Sequence, residues 1–432
     1  MFYLSRDIQL DSTLLAKMIN RFYLNVEPKL IKYKNYYDGN QAILQKIYSD
    51  ETKPCNRTVI NYCKNIVDSY CGYIASPGYI SYSSNDNIEE IMDVLNYNDY
   101  QAEDSDILLD ALVYGTAAEL MYVDEDAKLR FRAINPTTCF AVFDDTLSGD
   151  LIYFVRIYKN NDWDESNLYN VDVYNDSNIQ HYQMSGKMGV LTYLGETQHF
   201  FGQCPANIFY LPDEKSIFDC IMSEQDSVNE LISDEIDDYS AFCDAYLGLT
   251  GVDADAEDIA KMKENRVLLL PEGATAQWIT KNSNDTQVEN ILKTLQEAIY
   301  RTSQCVDFSI ENVGGGISSG IAIRYRLTGM ENRSGIVEGR MKKALQRRIE
   351  IICGFAALKL GEEIFRDIKI NFKRNIPSDN ADMVNLVNAL KGTVSDKTLL
   401  SSLPIVNDVN EELKELEKQR KSSISLYDFG DE

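Results

Sequence analysis

The stretch SEQDSVNELISDEIDDYSAFCDAYL, residues 223–247, is where the architecture of this chain is read. Val228, Leu231, Ile232, Ile236, Tyr239, Phe242, Cys243, Tyr246 and Leu247 recur at three- and four-residue steps, one continuous face of a helical period. Asp226, Glu230, Asp234, Glu235, Asp237, Asp238 and Asp244 lie mostly off that stripe. The wider segment from Ser216 to Ala260 holds thirteen acidic residues and no Lys or Arg. The pattern predicts one helix from about Phe218 to Gly248, roughly 45 Å long at about 1.5 Å per residue. Its apolar face must pack against something, while its other face repels any polyanion. Two readings stay open here: an ordinary solvated acidic face, or the wall of a passage that a polyanion traverses without being gripped.

Downstream, Arg266 to Leu270 and Ala276 to Lys281 flank Pro271, Glu272 and Gly273, a hairpin signal with Pro suited to the second position of a turn. A second helix is expected from about Thr286 to Val306, with Val288, Ile291, Leu292, Leu295 and Ile299 on one face. Helix, small β element and returning helix suggest a protruding helical hairpin with a capped tip. Asn312, Val313, Gly314, Gly315, Gly316, Ile317, Ser318, Ser319 and Gly320 follow, a run whose backbone is little restricted. Then comes a basic helix from about Ile321 to Lys359. Its stretch from Arg324 to Arg348 carries Arg324, Arg326, Arg333, Arg340, Lys342, Lys343, Arg347 and Arg348 against only Glu331 and Glu338. Gly329, Gly335 and Gly339 each cost such a helix about 1 kcal/mol relative to Ala, and Ser334-Gly335 is a natural bend. Beyond Pro377 the pattern is helical to about Lys421, before a short acidic tail.

Upstream, Leu14 to Tyr33, Val59 to Ile74, Ile88 to Leu95 and Tyr100 to Tyr114 read as helices, with Gly115 as a stop signal. The period then changes to two. Leu120–Val123, Leu129–Ile134, Phe140–Phe143, Leu151–Tyr158, Leu168–Tyr174, Ile179–Gln183 and Val190–Leu194 read as strands. Seven short strands in series suggest an antiparallel sheet packed on the helices, an α+β class.

The net charge of −26 over 432 residues opposes nonspecific nucleic-acid affinity, which depends on cations neutralising phosphates. The charges are segregated, however. The acidic and basic helices could meet between copies of the chain, meet within one copy, or be solvated separately. The nine cysteines include no C-x-x-C pair, and the eight-residue steps between Cys55, Cys63 and Cys71 are not metal-ligand spacing. No apolar run reaches the length of a membrane span, and the first residues lack a signal-peptide pattern. A soluble intracellular chain is expected.

Catalytic constellations are sparse. A phosphate-cradling loop needs Lys followed by Ser or Thr at the start of a helix, whereas Gly320 is followed by Ile321, Ala322 and Ile323. His181 and His199 are the two histidines, and neither sits in a nucleophile motif. Asp144-Asp145, Asp237-Asp238 and Glu362-Glu363 are adjacent pairs, and neighbours on a helix point apart. The expectation is no catalytic residue, no cofactor and no bound metal.

Several segments in order resemble the portal proteins of tailed bacteriophages, in the branch typical of long-tailed phages of Gram-positive hosts. They are Tyr36-Tyr37-Asp38-Gly39-Asn40-Gln41-Ala42-Ile43, Asn56-Arg57-Thr58-Val59-Ile60-Asn61-Tyr62 through Gly72-Tyr73, and Ser233-Asp234 with Ala245-Tyr246-Leu247. Ser318-Ser319-Gly320-Ile321-Ala322-Ile323-Arg324-Tyr325 is the most specific match, followed by Phe372-Lys373-Arg374-Asn375-Ile376-Pro377 and Val394-Ser395-Asp396-Lys397-Thr398-Leu399-Leu400. The resemblance implies a ring of twelve copies at one capsid vertex, through which double-stranded DNA enters and leaves without sequence readout. It implies a wing at 1–215, a first stem helix at 216–248 and a clip with a β-hairpin at 249–285. A second stem helix at 286–307, a tunnel loop at 308–320, a kinked basic helix returning to the wing at 321–375 and a helical crown with acidic tail at 376–432 complete it. Residues 312–319 would face DNA. Pro271, Glu272 and Gly273 would dock adaptor proteins. Beside the resemblance, the segregation of charge suggests that Arg324, Arg340, Lys343 and Arg347 meet Asp234 and Asp238 between subunits. The partners implied are a terminase motor, head-completion proteins, a scaffold and the major capsid protein, with no membrane; the place is the virion, after assembly in the host cytoplasm. Another head–tail joining or minor capsid protein is the rival within structural proteins. A nucleotide- or metal-dependent enzyme on nucleic acid is the rival from another class.

Overall fold

The computed structural model describes residues 2–47, 54–84, 86–159, 163, 166–242, 246–250, 273, 275–279, 285–307, 320–355, 364–374 and 387–401, with isolated positions between 409 and 419. Two compact units are formed, Met1–Asp307 with Leu327–Asn375, and Phe308–Arg326 with Ile376–Glu432.

The first unit opens with strand β1 (Phe2–Leu4) and helix α1 (Ser12–Arg21). Asp11 caps α1 by accepting the Leu14 N–H at 2.7 Å. A π turn at Phe22–Val26 leads into α2 (Glu27–Asp38), which Gly39 ends in the left-handed region at φ 85°. Helix α3 (Tyr62–Ile74) is capped by Asn61, whose side chain accepts the Lys64 N–H at 3.0 Å. After β2 (Ile80–Ser83) come α4 (Glu89–Tyr97) and α5 (Tyr100–Tyr114). Gly115 stops α5 at φ 80°, and a Cβ there would lie 2.6 Å from the backbone of Glu214 and Lys215. Only glycine fits both the dihedral and the close approach.

Strands β3 (Thr116–Val123), β4 (Leu129–Ile134), β5 (Cys139–Asp144), β6 (Leu151–Tyr158), β7 (Leu168–Tyr174), β8 (Asn178–Ser185), β9 (Leu191–Gln198) and β10 (Ala206–Tyr210) follow. All seven strands expected from sequence are present, but they do not form one sheet. One sheet has the order β1-β5-β6-β7-β8-β9, with β1 parallel to β5 and the other pairs antiparallel. The other has the order β10-β3-β4 and is antiparallel throughout. Sequence reading missed β1, β2 and β10, because three- to five-residue strands carry too few alternations to register.

Helix α6 (Met222–Phe242) is the acidic helix. It is shorter than expected, since Tyr246–Thr250 is strand β11, paired antiparallel with β12 (Thr275–Ile279). Gly248 and Thr250 are weak helix formers, and Tyr and Thr favour strands. The strand expected at Arg266 to Leu270 lies outside the described residues; the partner of β12 is β11. The returning helix α7 (Asp285–Ser303) lies close to its expected place. The basic helix α8 runs from Gly320 to Gly354 without interruption at Ser334-Gly335. A short α9 (Ile364–Asp367) leads to β13 (Lys369–Phe372), a strand also missed from sequence, which pairs antiparallel with β2. In the second unit, α10 (Asp396–Ser401) follows a bridge between Lys391 and Val394.

The C-terminal part of α8 threads the core of the first unit. Ile349, Ile351 and Ile352 pack with Leu95, Met121, Phe131 and Phe355. Among them Arg348 is completely buried. Its guanidinium pairs with Asp104 of α5 and with Glu119 of β3, and lies 4.5 Å from the centroid of the Phe131 ring. Asn207 of β10 donates to Glu119 at 3.2 Å and to the carbonyl of Ala344 at 2.8 Å. One cation thus ties a helix, two strands and α8 together, and leaving it unpaired in this interior would be costly.

Two carboxylates around one guanidinium leave one excess negative charge, and burial pushes the Asp104 carboxyl up to about 6. The half-buried Asp110 carboxyl is pushed up to about 7, again chiefly by its partial burial. A raised carboxyl pKa means that the folded state holds the proton more tightly. That contribution is fully present below about pH 4 and is lost as the pH rises through about 6. Asp104→Asn keeps an acceptor for Arg348 and removes the excess charge. The variant should therefore gain stability relative to the wild type between pH 4.5 and pH 7, by an amount on the order of 2 kcal/mol. Urea unfolding of both proteins across that range measures the gain; parallel profiles would contradict it.

Candidate functional site

The sequence stripe predicts that α6 packs through Val228, Leu231, Ile232, Ile236 and Tyr239. The structure corrects this. Val228 is buried and Leu231 and Ile232 are half-buried, but Ile236 is 36% and Tyr239 73% exposed. The buried line runs instead through Gln225, Asn229, Ser233 and Asp237, at strict four-residue steps. Against it lies the extended segment before α3. The N–H of Asn56 donates to Asp237 at 2.7 Å, that of Thr58 to Ser233 at 3.0 Å, that of Ile60 to Asn229 at 3.0 Å and that of Tyr62 to Gln225 at 2.9 Å. Gln225 returns a bond to the carbonyl of Ile60 at 2.6 Å, and Asn229 donates to the buried Gln41. Four helical residues advance about 6.0 Å and two extended residues about 6.6 Å. The two periods match over this length, so alternate backbone N–H groups meet successive helical turns in antiparallel order.

This zipper fixes which side of α6 faces outward. Glu230, Asp234 and Asp238 are exposed, one turn apart. Asp234 also pairs with Lys46 of the same chain. Tyr36 donates to Asp226 at 2.8 Å, and burial together with that carboxylate raises the phenol pKa, so the hydroxyl stays a donor. Helix α7 joins the same framework: Gln296 donates to the Tyr62 hydroxyl at 2.8 Å and the Tyr300 ring packs edge-on against Tyr62 at 6.0 Å.

Most cations of α8 have partners. Arg333 donates to the carbonyls of Ser303 at 2.7 Å and Ile217 at 2.6 Å, holding the base of α7 and the approach to α6 at once. Arg374, beyond β13, reaches back to Glu331 and Glu338. Lys342 pairs with Glu338 at 3.2 Å and Arg347 with Glu350 at 2.9 Å. Arg340 and Lys343 differ. Both are exposed, and neither makes an ion pair or side-chain hydrogen bond among the described residues. They line a cleft of about 960 Å³, open to solvent, between α8, the start of β6 and strand β10.

Of the other expected site residues, Arg324 lies in the first turns of α8, and Gly273 lies in a turn at φ 90° before β12. Pro271, Glu272 and residues 312–319 lie outside the described residues. Sequence reasoning also missed a polar row across the large sheet. His181 sits between the Asp172 carboxylate at 2.7 Å and the Thr197 hydroxyl at 3.0 Å, joining β7, β8 and β9. Among the described residues no group of three His, Cys, Asp or Glu could hold a metal ion, and no helix is long and apolar enough to cross a membrane.

The chain matches the family model described as phage portal protein, SPP1 Gp6-like, over residues 23–425. It belongs to that portal family. It is 20% identical to the portal protein of Bacillus phage SPP1 over 443 residues, covering 95% of this chain and 86% of that relative. It is 21% identical to the portal protein of Clostridium phage phiCD119 over 431 residues, covering 92% of this chain and 94% of the relative. Within this portal chain, the zipper had a legible sign: amide, hydroxyl and carboxylate residues of short reach at 225, 229, 233 and 237, a period-four polar line inside an acidic helix.

Removing one tooth should be measurable. Asn229→Ala takes the acceptor from the half-buried Ile60 N–H and the donor from Gln41 Oε1, and should cost about 1–3 kcal/mol. Tyr239→Ala on the exposed side should stay within about 0.5 kcal/mol of the wild type. Denaturant unfolding gives both values, and amide exchange at Thr58 and Ile60 should accelerate only in the first variant.

Proposed function

We propose that copies of this chain join side by side into a ring of twelve, whose axial bore passes double-stranded DNA into and out of a phage head. The observation that carries this reading is the portal-family match over nearly the whole chain. In it, residues 1–215 are the wing, α6 and α7 the stem, and the β11–β12 pair the clip, where Pro271, Glu272 and Gly273 dock head-completion proteins. The crown is 376–432. A terminase supplies ATP hydrolysis, so the portal chain acts as a conduit and not as an enzyme. The scaffold and the major capsid protein receive the ring at one vertex of the virion, after assembly in the host cytoplasm.

Electrostatics supports passage without adhesion. Each copy contributes a net charge of −26, and duplex DNA carries about one negative charge per 1.7 Å of its axis. A bore of like sign offers no deep electrostatic well, and Glu230, Asp234 and Asp238 are exposed on the outward side of α6, where they would contribute to that sign. The stretch from Phe308 to Gly320 has a single charge, Glu311, and no Lys or Arg. As the tunnel loop it would meet DNA through small side chains and backbone.

Negative-stain imaging of the purified chain should show rings with a central hole; discs without an opening would end this reading. Replacing Gly315 and Gly316 by Pro should leave the rings intact while DNA filling of heads falls at least tenfold. Normal filling would remove the loop from the mechanism.

A further inference from the structure

We infer that one internal water completes the ionic cluster around Arg348, held by Tyr82, Asp104, Glu119 and Arg348 together. The inference goes beyond the portal reading and does not depend on it. Bonds within the chain use only part of the cluster. Arg348 Nη1 donates to Asp104 Oδ1, and Nε donates at 3.0 Å to Glu119 Oε2, which also accepts from Asn207. Four polar atoms remain buried without a hydrogen-bond partner among the described residues: the Tyr82 hydroxyl, Asp104 Oδ2, Glu119 Oε1 and Arg348 Nη2. Arg348 Nη2 and Glu119 Oε1 lie 2.8 Å apart, in ion-pair contact but not aligned for a hydrogen bond.

The four atoms belong to one place. Asp104, Glu119 and Arg348 are each at most 1% exposed, so bulk solvent does not reach them. The Tyr82 phenol feels the charges of Asp104, Arg348 and Glu119, and burial together with the Asp104 carboxylate holds its proton well above the usual phenol range. Its hydroxyl is therefore a donor. With both carboxylates ionised, the set is two donors, the Tyr82 hydroxyl and Arg348 Nη2, and two acceptors, Asp104 Oδ2 and Glu119 Oε1. One water accepts two hydrogen bonds and donates two, and internal waters serve roughly two to four otherwise unsatisfied groups. A metal cation in the same place would face the hydrogens of Tyr82 and Arg348, and an anion would face two carboxylates. The water joins β2, α5, β3 and α8 at a single centre, and spares four buried groups the penalty of going unpaired.

The test is an experimental structure of the unaltered chain at a resolution that shows ordered waters, determined at about pH 8, where Asp104 is ionised. A water oxygen should lie about 2.6–3.2 Å from each of the four atoms. A direct bond between the Tyr82 hydroxyl and Asp104 with no density between them, or a water in reach of fewer than three of the four atoms, would overturn the proposal. Infrared difference spectra of the unaltered chain against Asp104→Asn at the same pH separate the water from a proton held on Asp104. A carboxylate band should be lost in the variant; loss of a protonated-carboxyl band instead would make Asp104 itself the donor and remove the need for a water. Tyr82→Phe gives the energetic readout. With the water in place the variant gives up a hydrogen bond, and the unfolding constant in urea should rise roughly fivefold. An unchanged or lowered constant would mean that the hydroxyl has no partner to lose, and would overturn the proposal as well.

Discussion

The framework depends on a match of periods. An extended segment offers its N–H groups every second residue, and a helix offers polar side chains every fourth. From Asn56 to Tyr62 and from Gln225 to Asp237 these steps coincide closely enough for four successive hydrogen bonds. Buried backbone donors must find partners, and here none comes from a sheet. The orientation of the acidic helix on its domain follows from this pairing, and with it the direction in which Glu230, Asp234 and Asp238 point. An apolar interface would have held the helix less specifically, because hydrophobic contact is non-directional.

Much of the fold was legible because its elements are long or strongly periodic. Strands at Leu129–Ile134, Leu151–Tyr158 and Leu168–Tyr174 and the helix at Tyr100–Tyr114 fall where alternation and the Gly115 stop place them. Sheet membership was not legible. Pairing of β10 with β3 splits the strand series, and that pairing joins segments far apart in sequence. The acidic helix lies within its expected span, but its buried line is displaced from the apolar stripe, which among the described residues keeps only Val228 fully inside. Leucine, isoleucine and tyrosine at helical spacing suggest burial, yet Gln225, Asn229 and Ser233 take the inner side. Each of these polar groups accepts a backbone N–H of the segment ahead of α3.

The basic helix shows a similar limit. Sequence counts its cations together, and structure sorts them by partner. Arg348 sits in the core between Asp104 and Glu119, Arg333 serves two carbonyls, and Arg347 finds Glu350 three residues on. Charge density along a helix thus overstates the charge available to another molecule. What remains is small and local, which gives a definite place to an attraction that composition spreads over twenty-five residues.

Arg333 also gives the paired helices a common root. One planar fork grips the carbonyl at the end of α7 and the one ahead of α6, so the end of one helix and the start of the other are bolted together. Their far ends are joined through β11 and β12 alone among the described residues. Substitutions in β11 or β12 therefore leave untouched the fork of Arg333, which holds the end of α7 to the approach of α6.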